Sequence, residues 1–330
     1  MIRAVNVLIT SAGVASAVNV IKSLRLQKEF SIAICAVDMD PLAPGLHLAD
    51  HAYLSPPAAD SGKYLDFLLA ICKKHNINAL YPCYSKELSI ISRAKEAFAA
   101  IGVRTLLPST EVIDLCNDKP KFIEFAMTLG LTVPRSYGKD KLQNISTHDF
   151  PLFCKPVTGS SSMGAVKINN QKDLDYYLYQ QKDVLVQNFI EGQEVTVDVF
   201  CDRSSRPIVI APRLRLSTKG GQSIKGRTID NKDFTKPVTT LCCALPLIGV
   251  CNVQFIMAKD GPVLLELNPR YAAGGLMLTV HAGANIPFLA LKEMLGHDIN
   301  ENECKTMKDI YMSRYWEEIF VKDGSMPSNL

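Results

Sequence analysis

Apolar and polar positions change period several times along the chain. "AVNVLIT" is a continuous apolar run ending in the turn "SAG". "VASAVNVIKSLR" follows with helical spacing, because Val14, Ala17, Val18 and Ile21 share one face. "FSIAICAVDMD" then reads as a strand ending in acid. Strand, glycine turn, helix, strand and acid is the order of a nucleotide-type βαβ unit. "YLDFLLAICKKHN" and "KELSIISRAKEAFAAIG" predict helices, and "INALYPC" and "VRTLLPS" predict strands. Residues 1–110 are therefore expected to form an open, mostly parallel α/β domain.

The middle, residues 111–186, reads as a small α+β lobe. "TEVIDLCND" and "KPKFIEFAMTLG" have helical spacing, the second closed by Gly130 with Pro134 beyond it. "FPLFCKPV" and "GAVKIN" predict strands on either side of a polar loop; "KDLDYYLYQQ" predicts a helix and "DVLVQNFI" a strand. Residues 187–330 are strand-rich: "EVTVDVF", "RPIVIAPRLRL", "GVCNVQFIMA" and "PVLLELN". A helix in "IPFLALKEMLG" follows, and "DIYMSRYWEEIFV" alternates like a strand. The expected fold class is an α/β, Rossmann-like N-terminal domain followed by an α+β domain of two lobes.

Composition narrows the function classes. The chain has 330 residues, 47% hydrophobic and 21% charged, which suits a globular protein. A net charge of +3 gives no broad footprint for nucleic acid or an anionic membrane. Ten cysteines show no C-x-x-C pair and no zinc spacing, which fits buried thiols in a reducing compartment. No apolar run reaches membrane-spanning length. The expectation is a soluble cytoplasmic protein. His47 and His51 lie in a segment broken by prolines, so a metal pair is not expected there. Tyr176, Tyr177 and Tyr179 are expected to pack within the small lobe.

Candidate chemistry begins with "FCKPVTGSSSMGAVKI". Gly159 and Gly164 bracket Ser160, Ser161, Ser162 and Met163. Glycines allow close backbone approach, so successive N–H groups can converge on an anion, and Lys155 adds a point charge. A plain polar hairpin loop reads equally well, and the lysine precedes the glycines, unlike a Walker loop. In "VLLELNPRYAAGG", period two puts Leu264, Glu266 and Asn268 on one strand face, where two oxygen ligands suit Mg²⁺. A three-residue turn with Gly261 left-handed sets Gln254 opposite Glu266. A two-residue turn moves the register by one residue, takes Gln254 out of line with Glu266 and sends it to the other face. Arg270 follows, within reach of a phosphoryl group.

Three further segments are weaker. Glu194, Thr196 and Asp198 share a face of a strand that could hold a nucleoside, with Glu194 on ribose. Arg213 and Arg215, followed by Lys219 and Gly220, read either as a carboxylate or phosphate clamp or as a solvated basic edge. Gly13 and Asp38 allow a dinucleotide site without a full glycine fingerprint.

"CNDKPKF", "KPVTGSSSMGAV", and above all "NVQF" followed by "LLELNPR", stand in an order that resembles the ATP-grasp superfamily over nearly the whole chain. The chain looks most like the synthetase units of the carbamoyl-phosphate synthase large subunit and their stand-alone relatives. That resemblance implies an N-terminal α/β domain and two lobes gripping ATP with Mg²⁺ or Mn²⁺. It implies phosphate contacts from Lys119, Lys155 and the loop Gly159–Gly164. Gln187, Asn188, Phe189 and Ile190 would line the adenine slot, and Glu194 would hold ribose. Gln254, Glu266 and Asn268 would bind the metal, with Arg270 on the transferring phosphoryl. Arg213, Arg215, Lys219, Gly220, Gly274 and Gly275 would border the substrate.

The implied activity is an ADP-forming, C–N bond-forming ligase that acts through an acyl phosphate. Its partners would be ATP, a small carboxylate and an amine, without nucleic acid or membrane, and with a homodimer left open. Three features depart from the pattern: Ser85 where relatives often place an acid, Asn188 where many have Glu or Lys, and "RYAAGG" after the arginine. A nucleotide-binding protein without turnover, and a nicotinamide oxidoreductase built on the βαβ unit, remain the alternatives.

Overall fold

The computed structural model describes residues 3–138, 142, 145–157, 164–230, 232–322 and 327. The N-terminal segment runs β1 (Arg3–Ile9), α1 (Ala15–Leu26), β2 (Phe30–Asp38), β3 (His51–Leu54), α2 (Ser61–Lys74), β4 (Ala79–Tyr81), α3 (Ser85–Arg93) and α4 (Lys95–Ala100). Its strands form a wholly parallel sheet in the order β3-β2-β1-β4. Continuous apolar runs produce this sheet because both of its faces are covered. Two expectations change here. The predicted long helix over "KELSIISRAKEAFAAIG" is split at Ala94 into α3 and α4. "VRTLLPS" forms no strand; only Arg104 bridges to Ala79.

The middle segment contains α5 (Thr110–Asn117), α6 (Lys119–Thr128), β5 (Ser136–Tyr137), β6 (Leu152–Pro156), β7 (Val166–Ile168), α7 (Gln171–Gln180) and β8 (Val184–Asn188). Ser109 and Asp118 cap the two helices by accepting the N–H groups of Val112 and Lys121. Gly130, at φ +70°, ends α6 as predicted. The strands form an antiparallel sheet, β5-β8-β6-β7, over a small core of Leu152, Cys154, Leu174 and Val186. Tyr177 packs on this core, whereas Tyr176 and Tyr179 are exposed.

The third segment holds β9 (Gln193–Cys201), β10 (Pro207–Lys219), β11 (Gln222–Thr228), α8 (Thr235–Ala244), β12 (Gly249–Ala258), β13 (Gly261–Asn268), α9 (Leu276–His281), α10 (Ile286–Leu295) and β14 (Tyr311–Ser313). Its sheet is antiparallel, ordered β13-β12-β9-β10-β11-β14. One face, with Val195, Val197, Val199, Val253 and Phe255, packs against Phe122, Val238 and Leu241. The predicted tail strand is limited to β14. A further core joins the first and third segments, from Val7 and Val20 to Phe200, Leu276 and Leu289.

Candidate active site

The opposite face of the six-stranded sheet is polar, and register makes it so. Asp198, Asn252 and Asn268 form one row across β9, β12 and β13. Arg213, Thr196, Gln254 and Glu266 form the next row, from β10 to β13. Gln254 does lie opposite Glu266, but not through the predicted three-residue turn. Ala258 pairs with Gly261 across Lys259 and Asp260, and the register then shifts by one between Phe255 and Gln254. Phe255 pairs with Leu264 and Gln254 with Glu266, so Leu265 is an extra residue in β13. Such a bulge re-aims the side chains beyond it. Leu264 therefore belongs to the apolar core beside Phe255, not to the face of Glu266 and Asn268 as period two predicted.

Three cations lie within electrostatic range of Glu266. Burial lowers the Lys155 ammonium below the usual lysine value, Glu266 opposes that shift and Lys119 adds to it. Burial likewise lowers Arg215 and Arg270; Glu194 foremost, then Glu266, opposes the shift at Arg215, and Glu266 opposes it at Arg270. The Lys155 ammonium has no hydrogen-bond or ion-pair partner among the described residues. Lys119, at the start of α6, donates to Val157 O at 3.2 Å and so ties α6 to the end of β6. Asn268 Nδ2 donates to Glu266 Oε1 at 3.0 Å. Asn252 Nδ2 donates to Arg270 O at 2.9 Å, fixing the chain where it leaves β13. Asn252 was missed from sequence, although it stands two residues before Gln254 and so shares its face.

The donor set suits a hard cation in part. Glu266 offers a carboxylate, and Asn268 offers an amide oxygen once its amide turns over. The Gln254 oxygen is already engaged by Arg215 Nη1 at 2.9 Å. Arg215 also donates to Gly221 O at 2.7 Å, and its Nε lies 3.3 Å from Glu194 Oε2. Glu194, expected on ribose, thus ion-pairs with Arg215. Among the described residues no group of three or more His, Cys, Asp or Glu could hold a metal, so a divalent cation here would draw remaining ligands from its anion and water.

The arginine clamp is corrected. Arg213 is 3% exposed and bidentate on Asp198, with Nε–Oδ2 at 2.8 Å and Nη2–Oδ1 at 3.1 Å. Thr279 Oγ1 donates to the same carboxylate at 2.6 Å. A buried guanidinium so engaged holds β10 to β9 and α9 instead of facing a substrate. Gly275 is required beside it, because a Cβ there would lie 2.2 Å from the guanidinium carbon. Gly274 abuts the backbone of Ser223 in the same way. Lys219 and Gly220 sit at the two-residue hairpin between β10 and β11, where Gly220 and Gly221 both have positive φ.

The predicted nucleotide strand is partly committed to structure. Gln187 is buried and donates to Ser136 Oγ at 3.2 Å. The N–H groups of Asn188 and Phe189 go to Arg135 O and Pro151 O, and Asn188 Oδ1 accepts Arg135 N–H at 2.7 Å. Lys167 Nζ stands 4.2 Å from the Phe189 ring centre. Ile190 is half-buried, leading into Gly192, where φ is +156° and a Cβ would lie 2.2 Å from Met257 O. Gly164 ends the predicted phosphate loop at φ +75°, and Tyr177 Oη donates to its carbonyl. Gly159, Ser160, Ser161, Ser162 and Met163 lie outside the described residues.

The first segment reaches the same site. Arg270 Nε donates to Ser85 Oγ at 2.7 Å, and its Nη1 to Tyr271 O at 3.2 Å. Ser85 opens α3 from a turn organised by Glu87, which is fully buried. That carboxylate accepts Thr10 Oγ1, Ser11 Oγ and Tyr64 Oη, and the N–H groups of Cys83 and Tyr84. The dinucleotide residues are engaged too. Asp38 Oδ2 accepts Gly13 N–H at 2.7 Å and Oδ1 accepts Asp40 N–H at 2.9 Å, so the carboxylate fixes the turn after β1 to the end of β2.

Residues 7–106 match the family described as PylC-like, N-terminal domain, and residues 124–219 match D-ala D-ala ligase C-terminus. Residues 180–318 match ATP-grasp in the biosynthetic pathway with Ter operon. The chain is an ATP-grasp protein. Solved structures share this fold at low identity. A biotin carboxylase from Campylobacter jejuni, in complex with a β,γ-ATP ligand, superposes with TM-score 0.71 at 17% identity, covering 91% of this chain and 73% of that one. An L-amino acid ligase from Bacillus licheniformis gives TM-score 0.68 at 16% identity, covering 93% and 78%. The biotin carboxylase domain dimer of a Hydrogenobacter thermophilus 2-oxoglutarate carboxylase, with MgADP, ADP and bicarbonate, gives TM-score 0.69 at 15%, covering 91% and 72%. The ATP-grasp domain follows a PylC-like N-terminal domain, as the expected fold class required.

Proposed function

We propose that the chain is an ATP- and Mg²⁺-dependent ligase that joins a carboxylate to an amine and releases ADP and phosphate. The observation that carries this reading is the gathering of Lys155, Arg215 and Arg270 around Glu266, with Asn268 beside it. Three partly desolvated cations against two carboxylates, Glu266 and the Glu194 paired with Arg215, leave a positive surplus, which suits a polyphosphate. In this reading residues 1–110, 111–186 and 187–330 act as three units, with nucleotide held between the second and third. Lys119 and Lys155 grip phosphate oxygens from one side. Gln187–Ile190 border the purine, and Glu194 reaches ribose on leaving Arg215. Mg²⁺ at Glu266 and Asn268 would offset phosphate charge.

Arg270, steadied by Ser85 and the Tyr271 carbonyl, neutralises the phosphoryl group as it moves. A substrate carboxylate oxygen attacks the γ-phosphorus, and the bond from phosphorus to the β,γ-bridging oxygen breaks, giving acyl phosphate and ADP. The amine nitrogen then attacks the acyl carbon, phosphate leaves with the C–O bonding pair, and the nitrogen loses a proton to water. No protein nucleophile is needed.

The test is ADP release with Mg²⁺ over a panel of amino acids and small carboxylates, with the nucleotides resolved by chromatography. ADP with orthophosphate, and a hydroxamate when hydroxylamine replaces the amine, is the expected result. AMP with pyrophosphate overturns the mechanism. Thermal stabilisation by NADH and not by MgATP would favour the oxidoreductase instead.

A further inference from the structure

β14 is last in its sheet, and among the described residues no strand lies beside its outer edge. That edge and the segment after it are aromatic and open. Tyr311, Tyr315, Trp316 and Phe320 are 65, 80, 81 and 93% exposed, and Ile319 is also exposed. The segment is anchored on its inner side. Arg314 N–H bonds Ile224 O, Lys219 Nζ stands 5.6 Å from the Trp316 ring centre, and Glu317 pairs with Lys22 at 3.6 Å. A bare sheet edge carrying large apolar side chains is a template for another chain.

Charge identifies which chain. Arg314 donates only to neutral oxygens, Gln222 Oε1 at 3.2 Å and Ala273 O at 3.4 Å, and has no carboxylate partner among the described residues. Glu318, four residues on, has no ion-pair or hydrogen-bond partner among them. A cation at one end of an apolar strip and an anion at the other make the strip complementary to its own antiparallel copy. With Trp316 at the centre, each Arg314 falls opposite the other copy's Glu318, and each Met312 opposite the other's Phe320. In a two-fold contact every such match occurs twice.

We propose that the strip from Tyr311 to Phe320 is the contact between two copies of this chain, paired antiparallel about a two-fold axis at Trp316. It lies outside the nucleotide machinery and stands whether or not the ligase reading holds. Sedimentation of the full chain at micromolar concentration under reducing conditions should give twice the 36.4 kDa chain mass. Phe320→Glu and Glu318→Arg should each raise the dimer dissociation constant by roughly tenfold or more, with unchanged thermal melts. Arg314→Glu combined with Glu318→Arg should restore the dimer, because both pairs re-form with reversed sign. If a variant fails to fold, Trp316→Cys decides: on mild oxidation it should link two chains through position 316, located by peptide mass. A wild type of single-chain mass, a dimer that survives both single changes, no recovery in the double variant, or no link at position 316 overturns the proposal.

Discussion

Glu266 is the anion that Lys155, Arg215 and Arg270 share, so single changes around it should have separable effects. Lys155 borders a polar face and fills no core, so Lys155→Ala should leave the fold intact. A charged hydrogen bond to phosphate is worth roughly 1.5–3 kcal/mol, and ATP affinity should fall about ten- to a hundredfold by calorimetry. The pH dependence has a definite sign. Burial holds the ammonium below its ordinary 10.5, and only the protonated form attracts phosphate. ATP affinity should therefore decline with rising pH before 10.5 is reached, and Lys155→Ala should remove that decline; an unchanged alkaline limb would take Lys155 out of the nucleotide site. Glu266→Gln keeps size and one oxygen but removes the charge. Turnover should drop by roughly a hundredfold or more while nucleotide still binds. Near wild-type ADP release at limiting Mg²⁺ would show that the metal is held elsewhere.

At the scale of elements, the bulge in β13 decides the chemistry of the sheet. If Leu265 were accommodated by plain alternation instead of a bulge, Leu264 would share a face with Glu266 and Asn268, so either the two polar residues turn into the core of Val253 and Phe255 or Leu264 turns out of it. Deleting Leu265 leaves Leu264, Glu266, Leu267 and Asn268 in plain alternation, with their faces kept and Gln254 still opposite Glu266, so stabilisation by MgADP in a thermal melt should survive the deletion. A deletion variant that no longer responds to MgADP would mean that the bulge itself aims Glu266 and Asn268. This device also marks how far the sequence could be read. The Gln254–Glu266 pairing was legible because a polar pair on a mostly aliphatic hairpin needs one shared face. The bulge was not, because nothing in "PVLLELNP" distinguishes an extra leucine from an alternating one. Likewise Arg213 and Arg215 look alike in sequence, two apart on one strand. Only the partners from β9 and β12, Asp198 for one and Glu194 with Gln254 for the other, separate a buried strut from a site cation. The helices α5 and α6 were readable from spacing and caps, whereas α8 and α9 were passed over. α9 has only six residues, and α8 carries Pro237 in its first turn, which reads as a break in the spacing instead of a start.

At the scale of the whole molecule, the first segment does more than precede the nucleotide site. Glu87 gathers five donors from the ends of β1 and β4, from α2 and from its own turn, and that turn carries Ser85 to Arg270. Ser85 was legible only as a departure, a small hydroxyl where relatives often carry an acid. The fold gives it a use, since a hydroxyl accepts from the guanidinium without cancelling the charge that a moving phosphoryl group requires. Ser85→Ala removes one hydrogen bond from Arg270 and leaves its bond to Tyr271 O. Ser85 bonds Arg270 and makes no hydrogen bond to Lys155 or Glu266, so ATP affinity should stay within about twofold of wild type. Turnover should fall roughly tenfold, because a loosened guanidinium spends less time where charge develops. Ser85→Thr keeps the hydroxyl and should recover most of the rate. The measurement is the split between the two quantities, nucleotide affinity by calorimetry and ADP release under saturating ATP. A parallel loss of both would place Ser85 in ground-state nucleotide binding. An unchanged rate would mean that Arg270 leaves Ser85 when the site is filled, and that the first segment holds the arginine only while the site is empty.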